Sequence, residues 1–265
     1  MRELENKTLY AKERQDEILN LLDQNGRVEV GELVNKFSVS GSTIRTDLRQ
    51  MEKKRLLTRT HGGAIKILQR NFEDIPITRD ITPAKRAIAD QAVALIADGD
   101  SLMIDTGTSC LAFTEALISS KKKNLRILTY DLQEALLLSD NTNYQIQLLG
   151  GGVRNGFHYA YGEEVVQQIK QYLVDKAILA TTSMTVAKGF STPNVSTATL
   201  KQAVLEIARM KIMLCDSEKI GQDSFRIFAK VNEIDTMITD DQITDITLKD
   251  IRKQKVKVHV APIHH

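Results

Sequence analysis

The chain of 265 residues predicts a small, mainly helical module closed by a hairpin, followed by an α/β domain on a mostly parallel sheet. Three observations carry this. Residues 11–53 repeat apolar side chains at helical spacing in three short segments. Gly62 and Gly63 stand between two short alternating runs, the pattern of a hairpin tip. Beyond residue 83, short β-branched runs alternate with helical periods, as in a parallel α/β sheet. The expected organisation is a first domain at 1–70, a linker at 71–83 and a second domain at 84–265.

The first helix, Ala11 to Gln24, carries Ile18, Leu19 and Leu22 on one side and stops at Asn25 and Gly26. Arg27 to Val30 suits a small strand, and Gly31 to Phe37 places Leu33, Val34 and Phe37 on one side of a second helix. Ser38-Val39-Ser40-Gly41 has the length of a helix-turn-helix corner. Ser40 is placed to cap the third helix, and Val39 and Ile44 are spaced for a hydrophobic staple. In that helix Ile44, Leu48 and Met51 share one face, while Ser42, Arg45, Thr46, Arg49 and Lys53 take the other. Leu56–Thr60 and Ala64–Leu68 flank the glycine pair, with Arg59 and His61 beside the tip. Three helices and a basic hairpin make a winged helix-turn-helix.

Charge sharpens the reading. The whole chain is +2, but from Ser40 to Arg70 eight basic residues stand against two acidic ones, a local charge of +6. A basic patch confined to one small module suits contacts to phosphates, and a helix of this kind fits a major groove. Arg45, Thr46 and Arg49 are expected at base edges of double-stranded DNA, and Ser42, Thr43, Lys53, Arg59 and His61 at phosphates or the flanking groove.

The remaining composition is that of a globular protein, with 42% hydrophobic and 26% charged residues. No apolar run approaches the ~20 residues that span a bilayer, and the first residues lack a signal peptide's apolar core. Cys110 and Cys215 make no disulfide framework and are expected as buried thiols. His259, His264 and His265 have no acidic or Cys cluster around them, so no metal is expected. These features together predict a cytoplasmic protein without membrane association.

In the second domain, Pro83 follows Thr82 as N1 follows an N-cap. Strands are expected at Ser101–Ile104, Leu125–Thr129, Gln145–Leu149, Ala177–Ala180, Ile212–Cys215, Met237–Thr239 and Val256–Val260. Helices are expected at Lys85–Ala97, Ser109–Ser119, Gln133–Ser139, Glu163–Tyr172 and Thr197–Arg209. Open sheets of this type bind ligands beyond the carboxyl ends of their strands.

Four loops at such ends hold candidate ligand groups. Asp105-Thr106-Gly107-Thr108-Ser109 joins hydroxyls to free helix N–H groups, a combination that holds phosphate. Gly150, Gly151 and Gly152 precede Arg154, pairing backbone approach with a guanidinium, and equally suit a flexible bend. Asp216 and Lys219 offer opposite charges that reach a ligand or each other, and Lys188–Thr192 is a further polar loop. With Lys85, the set suits a small phosphorylated polyol or sugar, and no other cofactor. A contrasting reading makes this half an active sugar-phosphate isomerase or transferase carrying a DNA-binding appendage, with Asp105, Asp216 and Lys219 as the acid and base groups of an isomerisation. No pair of carboxylates near the Thr/Gly loop supports it.

At this point the chain resembles the DeoR-type family of bacterial sugar-metabolism regulators over nearly its full length. The likeness rests on Gln15–Leu22, Gly26–Phe37, Val39–Leu48 (VSGSTIRTDL) and His61–Ala64 (HGGA). It continues through KRAIA at Lys85–Ala89, DTGTS at Asp105–Ser109, LLGG at Leu148–Gly151, FSTPN at Phe190–Asn194 and CDSEKIG at Cys215–Gly221. The resemblance implies a sensor domain related to ribose-5-phosphate isomerase and CoA-transferase folds. It implies a repressor of a sugar or polyol operon that binds operator DNA as a dimer or tetramer and responds to a phosphorylated sugar. Thr46, Tyr130 and Thr199 stand where the family more often has Arg, Asn and Glu.

Overall fold

A computed structural model describes residues 11–53, 56–60, 62–65 and 81–263. The chain divides into two compact units, Met1–Asn71 and Phe72–His265.

The first unit runs α1 (Ala11–Asn25), β1 (Arg27–Glu29), α2 (Val30–Phe37), α3 (Gly41–Lys53), β2 (Thr58–Arg59) and β3 (Gly63–Ile65). Ile18, Leu22, Leu33, Phe37, Ile44, Leu48, Met51 and Leu57 form its core. The periodicities that predicted the three helices are therefore the faces that pack. Ser38 ends α2 in the left-handed region at φ 52°, which turns the chain towards α3. The strands order β1-β3-β2, antiparallel throughout, so β1 closes the wing's sheet. Gly63 permits this pairing, because a Cβ there would collide with the Val28 carbonyl.

The second unit runs α4 (Pro83–Val93), β4 (Ser101–Ile104), α5 (Thr108–Ser119), β5 (Arg126–Thr129), α6 (Leu132–Asn141) and β6 (Gln145–Leu148). It continues β7 (Gly152–Arg154), β8 (Tyr159–Tyr161), α7 (Glu163–Ile169), β9 (Val174–Ala180), β10 (Ser183–Thr185), β11 (Gly189–Thr192) and α8 (Val195–Ile207). It ends β12 (Ala208–Leu214), β13 (Arg226–Ala229), β14 (Thr236–Asp240), α9 (Asp245–Lys253) and β15 (Lys257–Ala261). Thr82 caps α4, its hydroxyl accepting the Lys85 N–H at 3.3 Å, with Pro83 at the first position.

The seven predicted strand runs are the seven strands of one parallel sheet, in the order β15-β14-β12-β9-β4-β5-β6. Alternation along the strands splits the core. Leu102, Ile104, Ile178, Ala180, Ile212, Leu214 and Ile238 pack under α4, α5 and α6. Met103, Ala177, Leu179, Met213 and Met237 pack under α7, α8 and α9. From β4 the chain moves outward to β5 and β6, then returns to β9 on the other side of β4. The carboxyl ends of β4 and β9 are thus the topological switch point, where α/β sheets open a crevice.

Three expectations need correction. Lys188–Thr192, expected as a polar loop, is largely β11, the centre of a three-stranded antiparallel sheet β10-β11-β13. Phe190 is fully buried there, and Gly189 at φ +94° brings the backbone onto Ala229, an approach that overrides the polar composition. Of the Gly-rich segment before Arg154, Gly150 and Gly151 form a bend as expected, while Gly152 already belongs to strand β7, paired with β8. Ala208 and Arg209, expected to end a helix, already open β12, where Ala208 pairs with Val174.

Candidate nucleic-acid interface and effector site

The helix α3 has two chemically distinct sides. Ile44, Leu48 and Met51 are buried, while Ser42, Arg45, Thr46 and Arg49 are exposed and Thr43 is half-buried. Ser40 starts it, its hydroxyl accepting the Thr43 N–H at 3.2 Å and engaging the hydroxyls of Ser42 and Thr43. A buried ion pair, Arg14 Nε to Asp47 Oδ2 at 2.6 Å, ties α1 to α3 and fixes which side turns outward. Arg59 on the wing is tied to α3 as well: Glu52 accepts its N–H at 3.0 Å and meets its guanidinium at 3.5 Å. His61 and the side chain of Lys53 lie outside the described residues.

The candidate effector residues gather at the carboxyl ends of the strands, in two clusters on opposite faces of the sheet. The first lies at the switch point. Asp105 follows Ile104 and so turns towards α8, where it pairs with Lys201, accepts the Tyr130 hydroxyl and accepts the Ala180 N–H at 3.1 Å. Lys201 donates a second bond to the Ala180 carbonyl at 2.9 Å, and its ammonium lies 5.5 Å from the Phe228 ring centre. Burial, and then the Asp105 carboxylate, push the Tyr130 phenol well above its ordinary range, so it stays a neutral donor. Thr106 donates to Asp131 at 2.6 Å, and Asp131 in turn caps α6 through the N–H groups of Gln133 and Glu134.

The same cluster reaches Arg154. Its guanidinium donates to the Tyr159 hydroxyl at 2.7 Å and covers the Phe157 ring at 4.2 Å, and Tyr159 bonds Thr197 at 3.0 Å. Gly107 precedes α5 at φ +125°, a conformation suited to glycine. Thr108 and Ser109 form the first turn of α5, and the buried Ser109 hydroxyl has no partner among the described residues. At Gly151 the close approach is internal: a Cβ would meet Tyr161 and Val165 at 2.7 Å. At Gly152 the fit is looser, with a Cβ meeting the Tyr161 ring at 3.3 Å.

The second cluster lies on the α4 side. Asp216 draws Lys85 to 3.4 Å and Lys219 to 3.5 Å. Its other oxygen, Oδ1, is buried without a partner among the described residues. It lines a cleft of about 190 Å³ bounded by Thr82, Pro83 and Ala84 at the start of α4, by Ser217 and Glu218, and by Asp240. Beside the cleft, the Lys85 and Lys219 ammonium groups share Asp216 Oδ2 and, with the N-terminus of α4, can hold an anion, while the buried Oδ1 keeps acceptor capacity for a hydroxyl. Among the described residues no group of His, Cys, Asp and Glu could hold a metal, and no helix is long and apolar enough to cross a membrane.

Sequence reasoning named Asp105, Thr106 and Arg154 of the first cluster and Asp216, Lys85 and Lys219 of the second, and missed Lys201, Tyr159, Thr197 and Asp131. Lys201 sits between Leu200 and Ala203 in an apolar helical period, where a lysine ordinarily reads as solvated. Tyr130 stood out as an unusual residue at a strand end, though its bond to Asp105 had no local signal.

A winged helix-turn-helix joined to an α/β unit with polar clusters at its strand ends defines a DNA-binding transcriptional regulator with a sensor domain. The chain belongs to the DeoR family: residues 14–70 match the DeoR-like helix-turn-helix domain and residues 81–241 the DeoR C terminal sensor domain. It is 30% identical over 96% of its length, and 98% of the relative's, to the Uncharacterized HTH-type transcriptional regulator YulB of Bacillus subtilis. It is also 30% identical, over 95% of this chain and 98% of the relative, to the lactose phosphotransferase system repressor of Staphylococcus epidermidis. Among solved structures, ribose 5 phosphate isomerase A from Neisseria gonorrhoeae aligns at 17% identity and TM-score 0.38, over 51% of this chain and 52% of that one.

Proposed function

We propose that the protein represses a sugar or polyol utilisation operon and that a phosphorylated sugar bound by the sensor unit modulates its grip on operator DNA. It acts in the cytoplasm as a dimer or tetramer, on the nucleoid when DNA-bound. The observation that carries the reading is the division of α3 into a buried Ile44/Leu48/Met51 face and an open face of Ser42, Arg45, Thr46 and Arg49. A relative named as a lactose phosphotransferase system repressor supports the sugar.

In this reading Arg45, Thr46 and Arg49 meet base edges, and Ser42, Thr43, Lys53, Arg59 and His61 meet phosphates or the flanking groove. The Thr106–Ser109 turn, which carries the chain from Asp105 across the end of the sheet to α5 on the α4 side, holds the phosphate with Lys85 and Lys219, Asp216 takes a sugar hydroxyl, and Gly151, Gly152 and Arg154 border the site. Asp105, committed to Lys201, Tyr130 and Ala180, shapes the turn that follows it. A ligand shifts DNA affinity only by its differential affinity for the two states of the protein, and DNA shifts ligand affinity by the same factor. The test is a panel of phosphorylated sugars screened by thermal shift, with operator binding measured for each hit. A hit whose affinity is unchanged by Lys219→Ala and Thr108→Ala refutes the pocket, and turnover of a phosphosugar refutes the regulatory reading of this half.

A further inference from the structure

The two edges of the seven-stranded sheet differ in kind. β15 carries Lys257, a charge of the sort that keeps an edge from pairing. β6 reads Gln145-Ile146-Gln147-Leu148, and no charged residue occurs from Gln145 to Val153. Exposed apolar side chains surround this edge. Leu132 and Leu136 lie one turn apart on α6, which packs beside β6, and Leu148 and Val153 lie at and beyond the strand's end, each 36–61% exposed.

Among the described residues, the backbone of β6 is open in a defined direction. The Gln145 N–H donates to Leu125 at 3.0 Å and the Leu149 N–H to Thr129 at 2.9 Å, so odd-numbered residues bond to β5. Alternation turns the N–H and C=O groups of Ile146 and Leu148 to the free edge. There the Leu148 carbonyl meets the Gln147 side-chain amide at 3.4 Å, a weak contact that a strand bond would displace.

We propose that β6 is a two-fold interface at which a second copy of this chain adds its own β6 antiparallel, with Ile146 opposite Leu148 and Gln147 on the axis. A two-fold contact sets groups near the axis against their own copies, so charges there would oppose like charges. This neutral, apolar-flanked strand meets that condition. Nucleic acid or an anionic membrane would call for basic residues that the strip lacks. One α3 reads one half-site and a pair reads two, so a two-fold sensor contact suits the module it serves. The proposal rests on the reading of the protein as an oligomeric repressor.

The full chain carrying Gln147→Cys tests it. Residues facing each other at a non-hydrogen-bonded antiparallel position have Cα atoms about 4.5 Å apart, within the disulfide range of ~4.4–6.8 Å. Oxidation should therefore give a covalent dimer on a non-reducing gel. Gln145→Cys, displaced by about 13 Å from its copy, should crosslink far less, and Cys110 and Cys215 are buried and do not compete. Leu148→Pro removes an outward N–H and leaves the Leu149 bond to β5. In sedimentation it should raise the self-dissociation constant at least about tenfold with an unchanged circular dichroism spectrum. If that variant misfolds, the cysteine pair still decides. A wild-type protein that sediments as a monomer at tens of micromolar overturns both the interface and the oligomeric reading. A wild-type oligomer whose Gln147→Cys form crosslinks no better than Gln145→Cys overturns the interface alone.

Discussion

Replacing Lys201 by Met probes the switch point most directly. The Lys201 and Asp105 side chains are 4% and 0% exposed, so solvent screens their attraction little. Met keeps the length and apolar stem of Lys but removes the charge and the donors to Asp105 and the Ala180 carbonyl. Removing one partner of a buried pair leaves an uncompensated charge, which typically costs about 3–5 kcal/mol. Asp105 keeps the Tyr130 hydroxyl and the Ala180 N–H, which places the expected loss near the lower end, about 3 kcal/mol. Asp105→Asn should cost a comparable amount by stranding the ammonium. The double variant removes both charges, so its loss should fall short of the two single losses added together by about 2–3 kcal/mol. The chain has no Trp, so urea unfolding followed by far-UV circular dichroism is the suitable assay. A Lys201→Met protein within about 0.5 kcal/mol of wild type, or strictly additive losses, would refute the buried-pair argument.

The remaining predictions concern the reading helix, a close backbone approach and the buried thiols. Arg49→Ala should weaken binding to an operator selected in vitro by about 1–3 kcal/mol and relax preference at one base position; equal affinity in a gel-shift titration at fixed salt would exclude a base contact. Gly189→Ala places a Cβ against the Ala229 carbonyl at φ +94° and should destabilise the sensor unit by more than about 1 kcal/mol, read as a lowered melting temperature. Cys110 and Cys215 should react with a thiol reagent only after denaturation. Burial raises the Cys215 thiol from 9.0 to about 12, so above pH 9 the unfolded thiol ionises while the folded one does not. Its stabilising contribution is complete below pH 9 and is lost as pH rises towards 12, and a melting temperature flat across that window would contradict the shift.

The elements that sequence reasoning placed best are those in which local pattern and tertiary packing ask for the same thing. Ile44, Leu48 and Met51 announce a buried helical face, and no distant residue is needed to know it. The stretches from Leu102 to Ile104 and from Ile212 to Leu214 are apolar because both sides of a parallel sheet are covered. Their order was open to sequence reasoning only as a class. The placement of β9 beside β4 rather than beyond β6 is a pairing between strands far apart in the chain, which no local pattern announces. β11 was hidden for the opposite reason: its Ser and Thr read as loop, and only the burial of Phe190 and the pairing with β13 make it a strand.

The candidate site divides along the same line. Asp105, Gly107, Asp216 and Lys219 could be singled out because a polar residue just after an apolar strand is conspicuous. The partner of Asp105 was not conspicuous, since Lys201 lies 96 positions away within a helix of otherwise ordinary composition. A lysine that forfeits its hydration in that helix is costly unless a carboxylate meets it. The compensation is visible only when β4, β9 and α8 are brought together. Reading a sequence for isolated polar residues therefore finds the strand-end half of such a site. The half on the covering helix becomes legible once each carboxylate at a strand end is asked which cation on the helix of that face could reach it. At Asp105 the face set by Met103 leads to α8 and Lys201, and at Asp216 the face set by Leu214 leads to α4 and Lys85. Strand alternation alone thus assigns the two carboxylates to different helices.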